Sequence, residues 1–152
     1  MDSKARIDET GWRILDALQE NARINFAELG RRVGLSAPAV ADRVKRLEEA
    51  GIIAGYQARL DRGRAGYGLT AFIRLKPQRS ADREIDALVR DMPEILECHQ
   101  VTGEEGFILK VVARSIAHLD EIILRLAPFG ATTSSIVLST RAEGKKLVQP
   151  AS

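Results

Sequence analysis

The chain is short of the residues from which small proteins build covalent and metal chemistry. It holds one cysteine, Cys98, and two histidines, His99 and His118, among 152 residues. A lone cysteine closes no intramolecular disulfide, and the two histidines give no recognisable zinc spacing, so a reducing setting is expected. No apolar run approaches the roughly 20 residues a membrane helix needs, and the opening "MDSKARIDET" lacks a signal-peptide core. The expectation is an unprocessed, soluble, cytoplasmic protein without a membrane partner. Charge of one sign is lacking too: 23 Lys plus Arg face 21 Asp plus Glu, for a net +2. No overall cationic field marks a nucleic-acid binder, so any such case rests on local charge. There is no nucleophile–base pairing, no Walker-type loop, no metal cluster and no convincing acid/base pair of carboxylates. Glu104 and Glu105 point oppositely if their segment is extended. No catalytic residue, metal ligand or cofactor is expected, and no enzyme.

What is present suffices for two small domains, with 45% hydrophobic and 29% charged residues. Trp12, Ile14, Leu15 and Leu18 recur at helical spacing from Asp8 to Asn21, with Asp8 as N-cap. A second, two-turn helix starts after Asn25, with Glu28 placed to close a capping box, and ends at Gly34. A third starts at the N-cap Ser36, carries Pro38 in its first turn and stops at Gly51, with Val40, Val44 and Leu47 as its inner stripe. Then the pattern changes. "IIAGYQARL" is short and strand-like, and "DRGRAGYG" has turn character. The remainder alternates as strand "LTAFIRLK", helix Ala81 to Asp91, strand "ILECHQVT", turn "GEEG", strand "FILKVVA", helix Ile116 to Leu126 and strand "TSSIVLST". That βαββαβ order is the ferredoxin-like, split-βαβ arrangement. The fold class is α+β: a helix-turn-helix domain at 1–60, a linker at 61–68, a ferredoxin-like domain at 69–142 and a surface tail at 143–152.

In "FILKVVA", Phe107, Leu109, Val111 and Ala113 point one way, Ile108 and Val112 the other, so both sheet faces are expected to be substantially apolar. Two helices cover one face, and the other is expected to meet a second subunit. Cys98 and His99 read as packing or interface residues, and His118 as a residue on a surface helix.

Two helices joined at Gly34 and supported by a third form a helix-turn-helix, whose second member enters the DNA major groove. Relative to the inner stripe, Pro38, Asp42, Lys45 and Glu49 lie opposite, with Ala39 and Arg46 on the flank. The first turn, Ser36, Ala37, Pro38 and Ala39, is small enough for close approach to a phosphate or base edge. Arg43 and Arg46 are placed to grip the backbone or a guanine. Between Arg23 and Arg46 six basic residues (Arg23, Arg31, Arg32, Arg43, Lys45, Arg46) face two acidic ones (Glu28, Asp42), a local excess of four positive charges.

These residues carry a resemblance. "RIDETGWRILDALQENARINFAELGRRVGLSAPAVADRVKRLEEAGIIAGYQARLD" is similar to the N-terminal half of the leucine-responsive regulatory protein/AsnC family, the feast/famine transcription regulators, and the likeness continues through "LECHQVTGEEGFILKVVA" and "TTSSIVLST". The resemblance implies a winged helix-turn-helix on double-stranded DNA, with "GIIAGYQARL" as wing and connecting strand. It implies a homo-oligomer, a dimer assembling to tetramers or octamers, and two-fold symmetric DNA sites. Arg31, Arg32, Asp42 and Lys45 join Ser36 to Ala39, Arg43 and Arg46 in the expected DNA-binding set. It also implies an amino-acid effector held near Gly103, Glu104, Glu105, Gly106 and Phe107. Glycines admit a ligand to the backbone and carboxylates receive an ammonium group, while the hydroxyls of Thr132, Thr133, Ser134 and Ser135 can bind its carboxylate. The family's usual pattern has an aspartate before the aromatic, where this chain has Gly106. The competing expectation is a small-molecule-binding oligomerisation module without DNA recognition.

Overall fold

A computed structural model describes residues 7–78, 82–103 and 106–151, the side chains of residues 82 and 83 excepted. The chain divides into two compact units, one formed by the residues up to Ala58 with those from Ala142 onward, the other by Arg59–Arg141.

The first unit is helical because its caps and stripes agree. Helix α1 spans Glu9–Glu20, α2 Phe26–Val33 and α3 Ala37–Glu49. Each starts on a side chain that accepts an otherwise orphaned amide: Asp8 from Gly11 N, Asn25 from Glu28 N and Ser36 from Ala39 N. Gly34 closes α2 in the left-handed region, at φ 75°. Ile14, Leu15, Leu18, Leu29, Val33, Val40, Val44 and Leu47 bury into one core, with Trp12 half-buried at its margin. The reciprocal half of the expected capping box at Asn25 is replaced, since the Glu28 carboxylate turns to Arg31 and Arg32 instead. The guanidinium ions beside it on the next turn are the stronger partners.

The second unit is a four-stranded antiparallel sheet ordered β2-β3-β1-β4, with β1 at Leu69–Pro77, β2 at Ile95–Gln100, β3 at Phe107–Ala113 and β4 at Gly130–Ile136. Helices α4 (Asp82–Asp91) and α5 (Ile116–Leu126) complete the βαββαβ order. Ile73, Leu75, Leu109 and Val111 pack with Ile85 and Met92 from the α4 region and with Leu119, Ile122 and Leu126 from α5.

Four sequence expectations change. The last strand begins at Gly130 and ends at Ile136, not over 133–140. It pairs with β1 from Pro77↔Gly130 to Ala71↔Ile136, and the Val137 amide adds one last bond to the Thr70 carbonyl at 2.9 Å, so the strand starts earlier than its β-rich sequence suggests because Gly130 faces the end of β1 at Pro77. "IIAGYQARL" forms no ladder among the described residues; β propensity is not expressed without a neighbouring strand. Tyr56 in this stretch instead donates to Glu48 Oε1 at 2.9 Å, and burial together with that carboxylate pushes its phenol up to about 12. His118 is on a helix but buried at 9% exposure, its Nε2 3.3 Å from Glu94 Oε1 and its Nδ1 accepting the Arg114 amide at 3.2 Å. Finally, the sheet face away from the helices is mixed rather than substantially apolar: Phe72, Ile108 and Val112 share it with Arg74, Lys110 and Thr133, because charged residues alternate with apolar ones along β1 and β3.

The tail is pinned onto α1. Lys146 Nζ reaches Asp16 Oδ1 at 2.9 Å and Glu20 Oε1 at 2.6 Å. The Gln19 amide donates to the Leu147 carbonyl at 3.0 Å and accepts the Leu147 N–H at 2.8 Å.

Candidate nucleic-acid interface and ligand turn

The α2–α3 corner is tight for a reason the helical periodicity did not reveal. Gly30 is buried on α2, and a Cβ there would stand 2.5 Å from the Leu35 carbonyl oxygen. The Gly30 carbonyl meanwhile accepts the Leu35 amide at 2.9 Å. A bare backbone at position 30 therefore lets the turn fold against α2 and sets where Ser36 starts α3. In that first turn Ser36, Pro38 and Ala39 are exposed and Ala37 is half-buried, leaving an uncharged helix N-terminus open to solvent.

Every cation expected on this face except Arg23 has a carboxylate partner among the described residues. Arg46 reaches Asp42 at 2.8 Å and Lys45 reaches Glu49 at 3.6 Å, both one turn apart on α3. Arg31 pairs with Glu28, and Arg32 with Glu28 at 3.3 Å and Glu20 at 3.4 Å. Arg43 leaves its own helix: Nη1 donates to Asp8 Oδ1 at 3.0 Å and Oδ2 at 2.8 Å. That guanidinium, followed by the Gly11 amide, holds the Asp8 carboxyl below its usual range. In space five of the six cations thus meet five carboxylates, Asp8, Glu20 and Glu49 being added to Glu28 and Asp42. The excess of four counted along the chain is therefore largely offset by carboxylates that the fold brings near. These pairs are exposed, each worth at most about 1 kcal/mol, so a phosphate can replace a carboxylate at little cost.

Of the residues expected around a ligand, Gly103, Gly106, Phe107 and Thr132 lie toward one end of the sheet, while Ser134 and Ser135 sit further along β4 opposite Ile73 and Phe72. Gln100, Phe107, Leu75 and Thr132 form one row across its four strands, which puts the β2–β3 turn about 10 Å from β4, two strand spacings away. Gly103 and Gly106 have φ of 109° and 66°, and the Gly106 carbonyl accepts the Val101 amide at 2.8 Å. A Cβ on Gly106 would lie 2.6 Å from Pro77 Cδ. Glu104 and Glu105 lie outside the described residues. Phe107 is 7% exposed and belongs to the core, so it supports the turn from beneath. The four hydroxyls divide by register: Thr132 and Ser134 lie opposite Leu75 and Ile73, on the helix-covered side, and Thr133 and Ser135 opposite Arg74 and Phe72 on the other. Arg74 Nη2 donates to Ser135 Oγ at 3.5 Å. Among the described residues no group of three or more His, Cys, Asp or Glu side chains could hold a metal, and no helix is long and apolar enough to cross a membrane.

Comparison with known proteins matches both parts of the chain. Residues 7–54 match a winged helix-turn-helix DNA-binding family, and residues 70–147 match the Lrp/AsnC ligand binding domain. The leucine-responsive regulatory protein of Salmonella typhimurium is 33% identical over 159 aligned residues, covering 97% of each chain. A transcriptional regulator of Neisseria meningitidis, solved in complex with L-methionine, superposes with a TM-score of 0.88 at 33% identity, over 93% of this chain and 96% of that one. A feast or famine regulatory protein of Mycobacterium tuberculosis, also complexed with L-methionine, superposes with a TM-score of 0.88 at 30% identity, over 95% of this chain and all of that one. Two domains of matching kind, in matching order and over nearly the full chain, make this protein a member of the Lrp/AsnC family of helix-turn-helix transcriptional regulators.

Proposed function

We propose that the protein is a cytoplasmic, non-enzymatic homo-oligomer that binds a two-fold symmetric site on double-stranded DNA and responds to an amino acid. The observation that carries this reading is the Ser36-capped N-terminus of α3, small, exposed and flanked by the cations of α2 and α3. Ser36, Ala37, Pro38 and Ala39 would enter the groove. Arg31, Arg32, Lys45 and Arg46 would exchange their carboxylate partners for phosphates, with Asp42 releasing Arg46 as it binds. Residues 1–60 form the DNA-binding part and 69–142 the effector and oligomerisation part, joined by 61–68.

The effector reading is supported by the two glycines at the sheet end and by the L-methionine held by two structural neighbours. Gly106 stands where the family's usual aspartate would approach an ammonium group, so that task falls to Glu104 or Glu105, and Thr133 and Ser135 are available on the uncovered face for a carboxylate. Oligomerisation would cover Phe72 and Ile108 on that face. An effector acts only through unequal affinity for two assembly states.

The test is selection from a pool of random duplexes, repeated with each amino acid added. An enriched two-fold symmetric motif whose affinity shifts with one amino acid is the expected result. No enriched motif, with retention insensitive to salt, would overturn the reading in favour of an oligomerisation module whose helices bind protein.

A further inference from the structure

Arg43 and Arg46 are both basic, both on α3 and three residues apart, yet the structure treats them differently. The Arg46 side chain is 74% exposed and its partner Asp42 is one turn away on the same helix, so that pair constrains nothing beyond α3. The Arg43 side chain is 39% exposed and bonds to Asp8, at the start of α1. Asp8 does two jobs with one carboxylate. Its Oδ1 accepts the Gly11 amide at 2.7 Å, capping α1, and both its oxygens accept from Arg43.

The seat for this carboxylate is made by the absence of a side chain at Gly11. A Cβ there would stand 2.7 Å from Ile7 Cγ2 and 3.0 Å from Asp8 Oδ1. Gly11 is buried and lies in the first turn of α1, where a better helix former would favour the helix but crowd the carboxylate. Ile7, Asp8, Gly11, Arg43, Arg46 and Leu47 line one groove of about 430 Å³ between the start of α1 and α3. The inner stripe of α3 holds that helix against the core through Val40, Val44 and Leu47. Apolar packing of a cylinder resists sliding apart more than rolling, whereas a charge-assisted bond from a side chain at the edge of the stripe opposes roll directly.

We propose that Arg43 is a positioning residue, and that the Asp8–Arg43 pair fixes the roll of α3 so that its first turn and Arg46 face DNA in one register. This rests on the DNA-binding reading above. It assigns Arg43 a part different from Arg46: Arg46 contributes a phosphate contact, and Arg43 contributes geometry.

The experiment measures affinity against salt concentration for the full chain, on a duplex selected from the random pool and on a scrambled duplex, for wild type, Arg43→Ala, Asp8→Asn, the double variant and Arg46→Ala. Asparagine keeps an N-cap acceptor, so Asp8→Asn folds while losing the ion pair; circular dichroism confirms it, and Arg43→Lys is the conservative second variant. Arg46→Ala should lower the slope of log affinity against log salt by about 0.9, one phosphate contact. Arg43→Ala and Asp8→Asn should leave the slope unchanged and weaken binding to the selected duplex by about two- to fivefold, the span of a part-exposed pair, with less loss on the scrambled one. The double variant should be no worse than either single, and Arg43→Lys should recover part of the preference. A fall in slope for Arg43→Ala, with Asp8→Asn binding more tightly, would make Arg43 a phosphate contact and overturn the proposal. An unchanged ratio between the two duplexes would make the pair merely structural and overturn it as well. Wild type without salt-dependent binding would remove the DNA-binding reading itself and the proposal with it.

Discussion

The helical unit and the sheet unit hold themselves together differently, and their candidate sites differ accordingly. Among the described residues, nine buried side chains make the helical core and thirteen make the sheet core. The smaller core is supplemented by capping side chains on all three helices and by ion pairs at the surface. Its candidate interface is accordingly a set of exposed side-chain tips on a rigid helix, each replaceable alone. The sheet unit instead concentrates its candidate site where backbones crowd, with Gly106 pressed toward Pro77 and Phe107 buried beneath the turn. A surface made of charges can be tuned residue by residue; a site made of backbone approach admits few substitutions at all.

That contrast breaks most sharply in the core. Leu109 is fully buried at the centre of the sheet, so Leu109→Ala should cost the sheet unit about 3 kcal/mol through lost transfer energy and a cavity. Trp12, the one tryptophan, reports on the helical unit. Urea unfolding followed by Trp12 fluorescence should therefore be little changed while circular dichroism shows an earlier transition; both moving together would mean the units unfold as one. Next in size, Gly30→Ala should destabilise the helical unit by about 2 kcal/mol by driving a methyl into the Leu35 carbonyl. Here the Trp12 transition should move to lower urea, and an unshifted midpoint would show that the corner relaxes. Smallest is the tail. Trp12 shares a groove with Leu147 and Val148, and Lys146 anchors that segment to Asp16 and Glu20. Lys146→Glu should release it, shifting Trp12 emission to longer wavelength with little effect on the urea midpoint. Unchanged emission would mean the Gln19–Leu147 pair holds the tail by itself.

Much of this was legible because much of it is local. Asp8, Asn25 and Ser36 announce their helices by acting on amides three residues away, and the stripe Val40, Val44, Leu47 needs only the helical repeat. Strand β3 and helix α5 have the limits their sequence patterns predict for the same reason. The start of the last strand is not legible in the same way, because it is set by pairing with β1, some 60 residues earlier in the chain, where Gly130 faces Pro77, and no local pattern encodes a partner's position. The burial of His118 is not local either, since it sits against Glu94 in the turn before β2.

The sequence by itself determined the two domains, their order, the helix starts and the family, since these follow from periodicity, capping and motif spacing along a contiguous stretch. Only the tertiary structure decided what each charge does. Arg43 and Arg46 are equivalent as letters, and they part company because Asp8 comes within 3 Å of one while the other finds its partner along its own helix. Pairing is fixed by distance in space, and at short range an ion pair chooses the carboxylate that folding brings near rather than the one nearest in the chain.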